Sequence, residues 1–247
     1  DDIPTDPANF IIQGLEKRIA HGKGDIRNFN DVQSAFNRFR PEIVFHLAAQ
    51  SLVRKSYDAP LQTFITNTTG TLNVLEAIRL SSDVKAGVII TSDKCYHNSE
   101  WTWGYRENDT LGGDDPYSAS KGCAELVIKS YNASYFSGSN KRVASTRAGN
   151  VIGGGDWAED RIIPDLVREW SDNKPVVIRN PDATRPWQHV FEPLSGYLWL
   201  GAKLMIDSPD SPDKFQEAFN FGPLSDSIYT VRSVRDTIGQ YLKGASW

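Results

Sequence analysis

The sequence predicts an α/β fold, a doubly wound parallel sheet, and three observations carry that prediction. Short β-branched apolar runs alternate with stretches at helical spacing. The runs end in small or polar residues that open into loops. Gly, Pro and Asp gather after residue 150, where the alternation breaks. With 247 residues the chain has room for one large α/β domain or one domain with a smaller appendage, and can bury a sizeable core.

In chain order, Asn30 reads as the N-cap of a helix whose Val32, Ala35, Phe36 and Phe39 recur at helical spacing. Pro41 follows, then "EIVFHLAAQ", a strand buried on both faces that opens into small residues. Residues 61–80 carry Leu61, Phe64, Ile65, Leu72, Leu75 and Ile78 and predict a helix. "AGVIITS" repeats the strand pattern, 117–136 reads as a helix, and "RVASTRAGNV" is a strand running into a Gly-rich turn. Strands alternating with helices of this length imply right-handed crossovers and a parallel sheet.

In such sheets ligands sit outside the carboxyl ends of the strands, here "HLAAQS", "TSDKCY" and "TRAGNV". After residue 150, "GGGDWAEDR", "RNPDATRPWQH" and "DSPDSPDKF" read as loops, broken by a helical "IIPDLVREW", a strand-like "PVVIR" and a last helix in "TVRSVRDTIGQYL". The expected division is a nucleotide-binding domain over 1–150, with 185–206 packing back onto it, and a smaller lobe over 151–184 and 207–247. A dinucleotide-binding sheet normally opens with an apolar strand and a glycine-rich turn into a helix. "HGKGD" and "IGGGDW" do not fit that description, so the first β-α-β unit is expected to be absent from these residues.

Composition narrows the function. A formal charge of -4 gives no broad positive field for nucleic acid. Two cysteines, Cys95 and Cys123, do not make a disulfide framework, and no apolar run approaches the roughly 20 residues of a membrane span. A cytoplasmic protein acting on a small molecule is the expectation. His46 reads as a strand-end packing residue, and four scattered histidines argue for no metal site.

Two pairs of side chains carry chemistry. Tyr117 and Lys121 stand at i and i+4, on one helix face. A phenol with a pKa of roughly 10 is a poor base, but an adjacent ammonium favours the phenolate and makes it a workable base for a sugar or alcohol hydroxyl. Ser92, Asp93 and Lys94 begin at the end of the preceding strand, where an acid beside an amine can serve as proton donor and acceptor. Either pair alone is an ordinary surface; both at the mouth of one sheet are not.

"DIRN", "HLAAQSLVRKSY", "NTTGTLNVLEA", "TSDKCY", "YSASKGCAE", "RAGNVIGGGDWAEDRIIPD" and "RPWQHV", in this order, resemble the extended short-chain dehydrogenase/reductase enzymes that modify nucleotide sugars, and most of all the CDP-glucose 4,6-dehydratases. The resemblance covers roughly residues 24–247. It implies a Rossmann-like sheet, bound NAD, and an intramolecular redox cycle that turns CDP-glucose into a 4-keto-6-deoxy sugar. On that reading Tyr117, supported by Lys121, takes the O4 proton and Ser92 hydrogen-bonds O4. Asp93 is the acid towards O6, and Lys94 the C5 base, where the related dTDP-glucose enzymes carry an Asp-Glu pair. Lys94 must then shed its proton through desolvation or a nearby positive charge.

For NAD the resemblance assigns Asp25 and Ile26 to the adenine side, Leu47, Ala48, Ala49 and Gln50 to the wall beside the diphosphate and nicotinamide, and Asn67 to a loop and helix contact. For the substrate it suggests Asn150, Asp156, Trp157, Arg161, Arg179 and Arg185, the arginine forks suiting diphosphate oxygens. Relatives imply a homo-oligomer through helices 61–80 and 117–136. A sugar-nucleotide 4-epimerase, or a non-catalytic NAD-sensing module, is the alternative; Asp93-Lys94 argues against the first and an intact Tyr117-Lys121 pair against the second.

Overall fold

The computed structural model describes residues 5–206, 215–224 and 228–241. Among these the elements are α1 (Asn9–Ile12), α2 (Phe29–Phe39), β1 (Ile43–His46), α3 (Val53–Asp58), α4 (Pro60–Phe64), α5 (Gly70–Leu80), β2 (Ala86–Ile90), α6 (Pro116–Tyr131), β3 (Arg142–Ala148), β4 (Asn150–Ile152), α7 (Ile162–Ser171), β5 (Thr184–Arg185), β6 (Trp187–His189), α8 (Phe191–Met205), β7 (Ala218–Phe221), β8 (Tyr229–Thr230) and α9 (Val231–Gly239). The expected α/β class holds: β1, β2, β3 and β7 pair in that order, every pair parallel. Their carboxyl ends therefore share one edge, where the loops after β1 and β2 emerge.

The strand alternation builds a core on each face. Ile89 and Val143 pack with Val32, Leu75, Ile78 and Ile128 from α2, α5 and α6. Val88 and Ala144 pack with Tyr197, Leu200 and Leu204 of α8 on the other face. Full burial of such aliphatic side chains contributes about 1.5–3 kcal/mol each. Helix α8 lies close on the sheet because residue 196 is glycine: a Cβ there would sit 2.0 Å from Phe221 Cε1.

Several local expectations shift. Helix α2 is capped by Asn28, whose side chain accepts from the Asn30 amide at 3.0 Å, so Asn30 lies inside the helix. Strand β1 is only partly buried up to His46 rather than enclosed on both faces. The 61–80 helix is a run interrupted by one π turn over Ile65–Thr69, and 117–136 ends in another over Asn132–Phe136. "PVVIR" forms no strand, and its Val177 is exposed. Strand β7, four residues long, extends the sheet where no element was expected.

The end of α5 is held from outside the helix. Lys141 Nζ donates to the carbonyls of Ile78 (2.9 Å), Arg79 (2.6 Å) and Ser81 (2.5 Å), which have no partner within the helix. An ammonium there also meets the negative end of the helix dipole. Lys141→Met is expected to destabilise the chain by about 1–3 kcal/mol, read as a lower urea midpoint at unchanged slope.

The chain divides into two compact units, residues 22–148 with 191–221, and 1–21 with 149–190 and 222–247. This departs from the expected boundaries. Residues 185–190 belong with the second unit because β5 pairs antiparallel with β8 and β6 parallel with β4, not with the main sheet. Residues 5–21 also group there, and β7 belongs to the first unit. Residues 207–214, 225–227 and 242–247 of the expected lobe lie outside the described residues.

Candidate active site

Of the five residues expected to react, Ser92, Asp93 and Lys94 follow β2 in a turn that packs against α6, and Tyr117 and Lys121 lie on α6. The Thr91 amide donates to Thr146 O at 2.8 Å, carrying the pairing one residue past β2. Ser92 then caps a short 3₁₀ turn over Asp93–Cys95. Its hydroxyl accepts from the Lys94 amide at 3.2 Å and donates to Asp93 Oδ1 at 3.1 Å. That turn packs against α6. Gly122 permits the approach, since a Cβ there would meet Cys95 O at 3.3 Å. Asp93 is half-buried and Lys94 exposed.

Helix α6 begins with Pro116 after Asp115, whose carboxylate accepts from the Ser118 amide at 3.0 Å. The cap fixes the first turn, and with it Tyr117, which is 8% exposed; Lys121, one turn on, is 4% exposed. Lys121 Nζ donates to Ile90 O at 3.4 Å, so its ammonium lies at the end of β2 that yields Ser92. Burial pushes the Lys121 pKa down to about 8, against the opposing pull of Glu125 and then Cys95. His46, at the end of β1, is held at about 4 by burial and then by Lys121, so it is neutral at pH 7. It shares a 3.2 Å hydrogen bond with Thr71 Oγ1, in keeping with a packing role.

The loop after β1 is pinned from below. Asn67, in the π turn, accepts from the Gln50 amide at 2.8 Å and donates to Gln50 O at 3.0 Å and to Ser120 Oγ at 2.9 Å. Gln50 folds back, donating to Leu52 O and Thr63 Oγ1, both at 3.0 Å. Leu47 and Ala48 are exposed, and Ala49 half-buried. They leave an open apolar face at the end of β1, which suits a flat ring system. Asp25 is bound by the Arg27 guanidinium, whose hydrogen bonds hold its carboxyl down at about 2. Ile26 packs beneath Gly70, where a Cβ would approach Ile26 Cδ1 to 2.6 Å.

Three of these residues have settings the sequence did not show. Both amide hydrogens of Asn67 bond within the protein, so it ties the loop after β1 to α6. Ser92 caps the turn and contacts Asp93. The desolvation expected at Lys94 is not supplied by the chain's own residues, since the side chain is exposed.

In the second unit the candidates pair with one another. Arg161 Nη1 donates to Asp156 Oδ2 at 2.9 Å, while Asp156 Oδ1 accepts from the Ala158 amide at 3.1 Å, so these two form a mutual pair. Arg179 reaches Asp160 at 3.3 Å. Such partly exposed pairs are weak and exchangeable, typically about 0–1 kcal/mol. Trp157 lends its carbonyl to Arg168 at 2.8 Å. Arg185, in β5, is exposed and donates to Thr184 O at 2.8 Å, and Asn150 lies in β4 opposite Trp187.

Sequence reasoning missed Gly122, Glu125 and Arg147. A glycine inside a helical pattern directly after Tyr-x-x-x-Lys was a usable signal of close approach. The pairing of Glu125 with Arg147, across two elements, left no local signal.

The model of the family described as GDP-mannose 4,6 dehydratase matches residues 9–207. The chain is 49% identical over 252 residues to the CDP-glucose 4,6-dehydratase of Salmonella typhimurium strain LT2, covering 100% of this chain and 69% of that protein. Among solved structures, the dTDP-glucose 4,6-dehydratase of Streptomyces venezuelae with NAD bound superposes with a TM-score of 0.78 at 22% identity, over 97% of this chain and 68% of that one. The UDP-glucose 4-epimerase of Thermotoga maritima with UDP-glucose gives 0.77 at 21% identity, over 93% and 70%. These two likenesses establish the Rossmann-type fold. The family model and the Salmonella relative establish more: the chain belongs to the nucleotide-sugar 4,6-dehydratase family of extended short-chain dehydrogenases/reductases.

Proposed function

We propose that the chain is an NAD-dependent hydro-lyase that converts CDP-glucose to CDP-4-keto-6-deoxyglucose. The observation that supports this best is the buried Tyr117-Lys121 pair on a helix against which the Asp93–Cys95 turn packs, so that one base and one acid-amine couple serve the same end of the sheet. The whole-length likeness to a CDP-glucose 4,6-dehydratase supports cytosine over other bases. NAD, when bound, supplies a hydride acceptor at the sugar C4 that later returns the hydride to C6. Leu47, Ala48 and Ala49 would hold its flat ring, and Asp25 and Ile26 its adenine end.

The chain's own residues move the protons. Tyr117 takes the O4 proton as the C4–H bond breaks, with Lys121 as the cation that favours the phenolate. The C4 ketone acidifies the C5 proton, which Lys94 removes while Asp93 protonates the departing O6. Ser92 orients Asp93 through their hydrogen bond. Substrate seated over Lys94 would supply the desolvation that an amine base requires. Asn150, Trp157 and Arg185, with Arg161 and Arg179 released from exposed ion pairs, would receive the nucleoside diphosphate. Exposed Leu61, Leu72, Leu126 and Tyr135 on the helices over 60–80 and 116–136 support a homo-oligomer through those faces.

Incubation with CDP-glucose is expected to yield the alkaline absorbance of a keto sugar; bare inversion at C4 would instead mark an epimerase, and bound NAD without turnover of any sugar nucleotide a sensing module. The pH dependence follows from Lys121. Its cation is present below about 8 and lost above. Turnover is therefore expected to fall as pH rises through 8, as the charge that favours the phenolate disappears. A kcat profile flat from pH 7 to roughly 10 would exclude Lys121 as that charge.

A further inference from the structure

The buried charges behind Lys121 are not used by the mechanism above. Glu125 follows Lys121 by one turn on α6 and is 3% exposed; Arg147, on β3, is 4% exposed. Arg147 Nη2 donates to Glu125 Oε2 at 2.7 Å, Ser145 Oγ donates to the same oxygen at 2.8 Å, and Thr91 Oγ1 donates to Oε1. From its other fork Arg147 Nη1 donates to Tyr96 Oη at 2.7 Å and to Glu107 O at 2.9 Å. The Tyr96 ring also lies 4.9 Å under the guanidinium, and Tyr96 Oη donates to Asn220 Oδ1 of β7 at 2.7 Å.

One carboxylate therefore joins the helix that carries Tyr117 and Lys121 to Thr91, the residue immediately before Ser92. Through Arg147 it also joins Tyr96, the residue immediately after the Asp93–Cys95 turn. Both ends of the turn bearing the acid-amine couple are fastened to the helix bearing the phenol. We infer that Glu125 and Arg147 are positioning residues, a buried clamp that sets the Asp93-Lys94 turn against the Tyr117-Lys121 helix and balances the charge around Lys121.

The inference rests on the reading of Tyr117, Lys121, Asp93 and Lys94 given above, but its geometry does not. A buried pair of this kind is not explained by stability, since apolar residues of the same volume commonly serve as well. The charged or titratable groups around Lys121 are His46 from β1, Asp93 and Cys95 from the turn, and Tyr117 and Glu125 from its own helix, and of the two carboxylates it is Glu125 that raises the Lys121 pKa. His46 is neutral near pH 7 and burial keeps the Cys95 thiol protonated up to about 12, so Glu125 is the anion that acts on Lys121. Neutralising it leaves the Arg147 cation uncompensated, and both changes push the Lys121 proton off.

The test is titration of Lys121 by NMR in the full chain, with turnover of CDP-glucose measured in parallel. Glu125→Gln is expected to lower the Lys121 pKa by about one unit, a tenfold change in its protonation constant, and to move the basic limb of kcat down with it. Glu125→Gln combined with Arg147→Met, which removes both charges together, is expected to return the titration most of the way. Arg147→Met, which removes the neighbouring cation and leaves the Glu125 carboxylate in place, is the second variant to use where Glu125→Gln fails to fold, and is expected to raise the Lys121 pKa. For the clamp itself, Arg147→Met is expected to speed hydrogen exchange at the amides of Lys94 to Tyr96 and to lower kcat about tenfold with little change in KM. A folded Glu125→Gln or Arg147→Met protein with an unmoved Lys121 titration overturns the charge role, and unchanged exchange and kcat in Arg147→Met overturn the clamp. If the unsubstituted chain turns over no sugar nucleotide, the proposed function fails, and the titration and exchange results still decide this inference.

Discussion

Tyr117→Phe is expected to lower turnover by about 10²–10⁴-fold, the range that a positioned acid-base group supplies, with the fold and the stability nearly unchanged. The substitution deletes one oxygen from a side chain that is 8% exposed at the capped start of α6. What is lost is the only side chain the mechanism gives to the O4 proton, so the block falls before the first oxidation. The measurement that isolates it is reduced-nicotinamide absorbance after mixing enzyme, NAD and CDP-glucose in a single turnover: none is expected from Tyr117→Phe. Lys121→Met should resemble it in direction, because removing the ammonium returns the phenol towards its ordinary pKa of roughly 10. A Tyr117→Phe protein that oxidised the sugar at the native rate would remove the phenol from the mechanism and, with it, the argument that joins α6 to the chemistry.

Much of this was legible because it rests on short-range pattern. The alternation of "FHLAAQ", "GVIITS" and "VASTRA" with helical stretches fixed the parallel sheet and the edge at which loops converge, and the capped Tyr-x-x-x-Lys helix landed against the Asp93-Lys94 turn. What failed to read were features decided by a distant partner. The Asn67 amide is bound by Gln50 and Ser120, the second of them 53 residues away in sequence, and no local pattern announces that tie. Residues 185–190 were expected to pack back onto the main sheet domain with 191–206, but β5 pairs with β8 and β6 with β4. The π turn at Ile65–Thr69 has no composition signature, since its residues are equally at home in the α-helix it interrupts. Strand β7 is four residues, "AFNF", too short for its alternation to stand out after a stretch of sequence rich in Asp, Ser and Pro.

Asp93→Asn and Lys94→Ala should fail at a different point from Tyr117→Phe, and that separation is the sharper test of the site. Neither residue touches the O4 proton in the proposed reaction, so oxidation at C4 proceeds and the reduced-nicotinamide absorbance rises. The elimination then stalls. Asp93→Asn keeps the shape of the turn, and the Ser92 hydroxyl can still donate to the amide oxygen, but the side chain no longer has an acidic proton to give to O6. Lys94→Ala removes the amine from an exposed position at little structural cost and leaves the C5 proton without its acceptor. Each is expected to lower product formation by about 10²–10⁴-fold while the absorbance persists. The two should differ in isotope exchange: in deuterated water the C5 position washes out in Asp93→Asn, where the base survives, and stays unlabelled in Lys94→Ala. Native-rate turnover in Lys94→Ala would reassign the C5 base, and loss of the absorbance in both variants would mean that the turn shapes the oxidation step rather than the elimination.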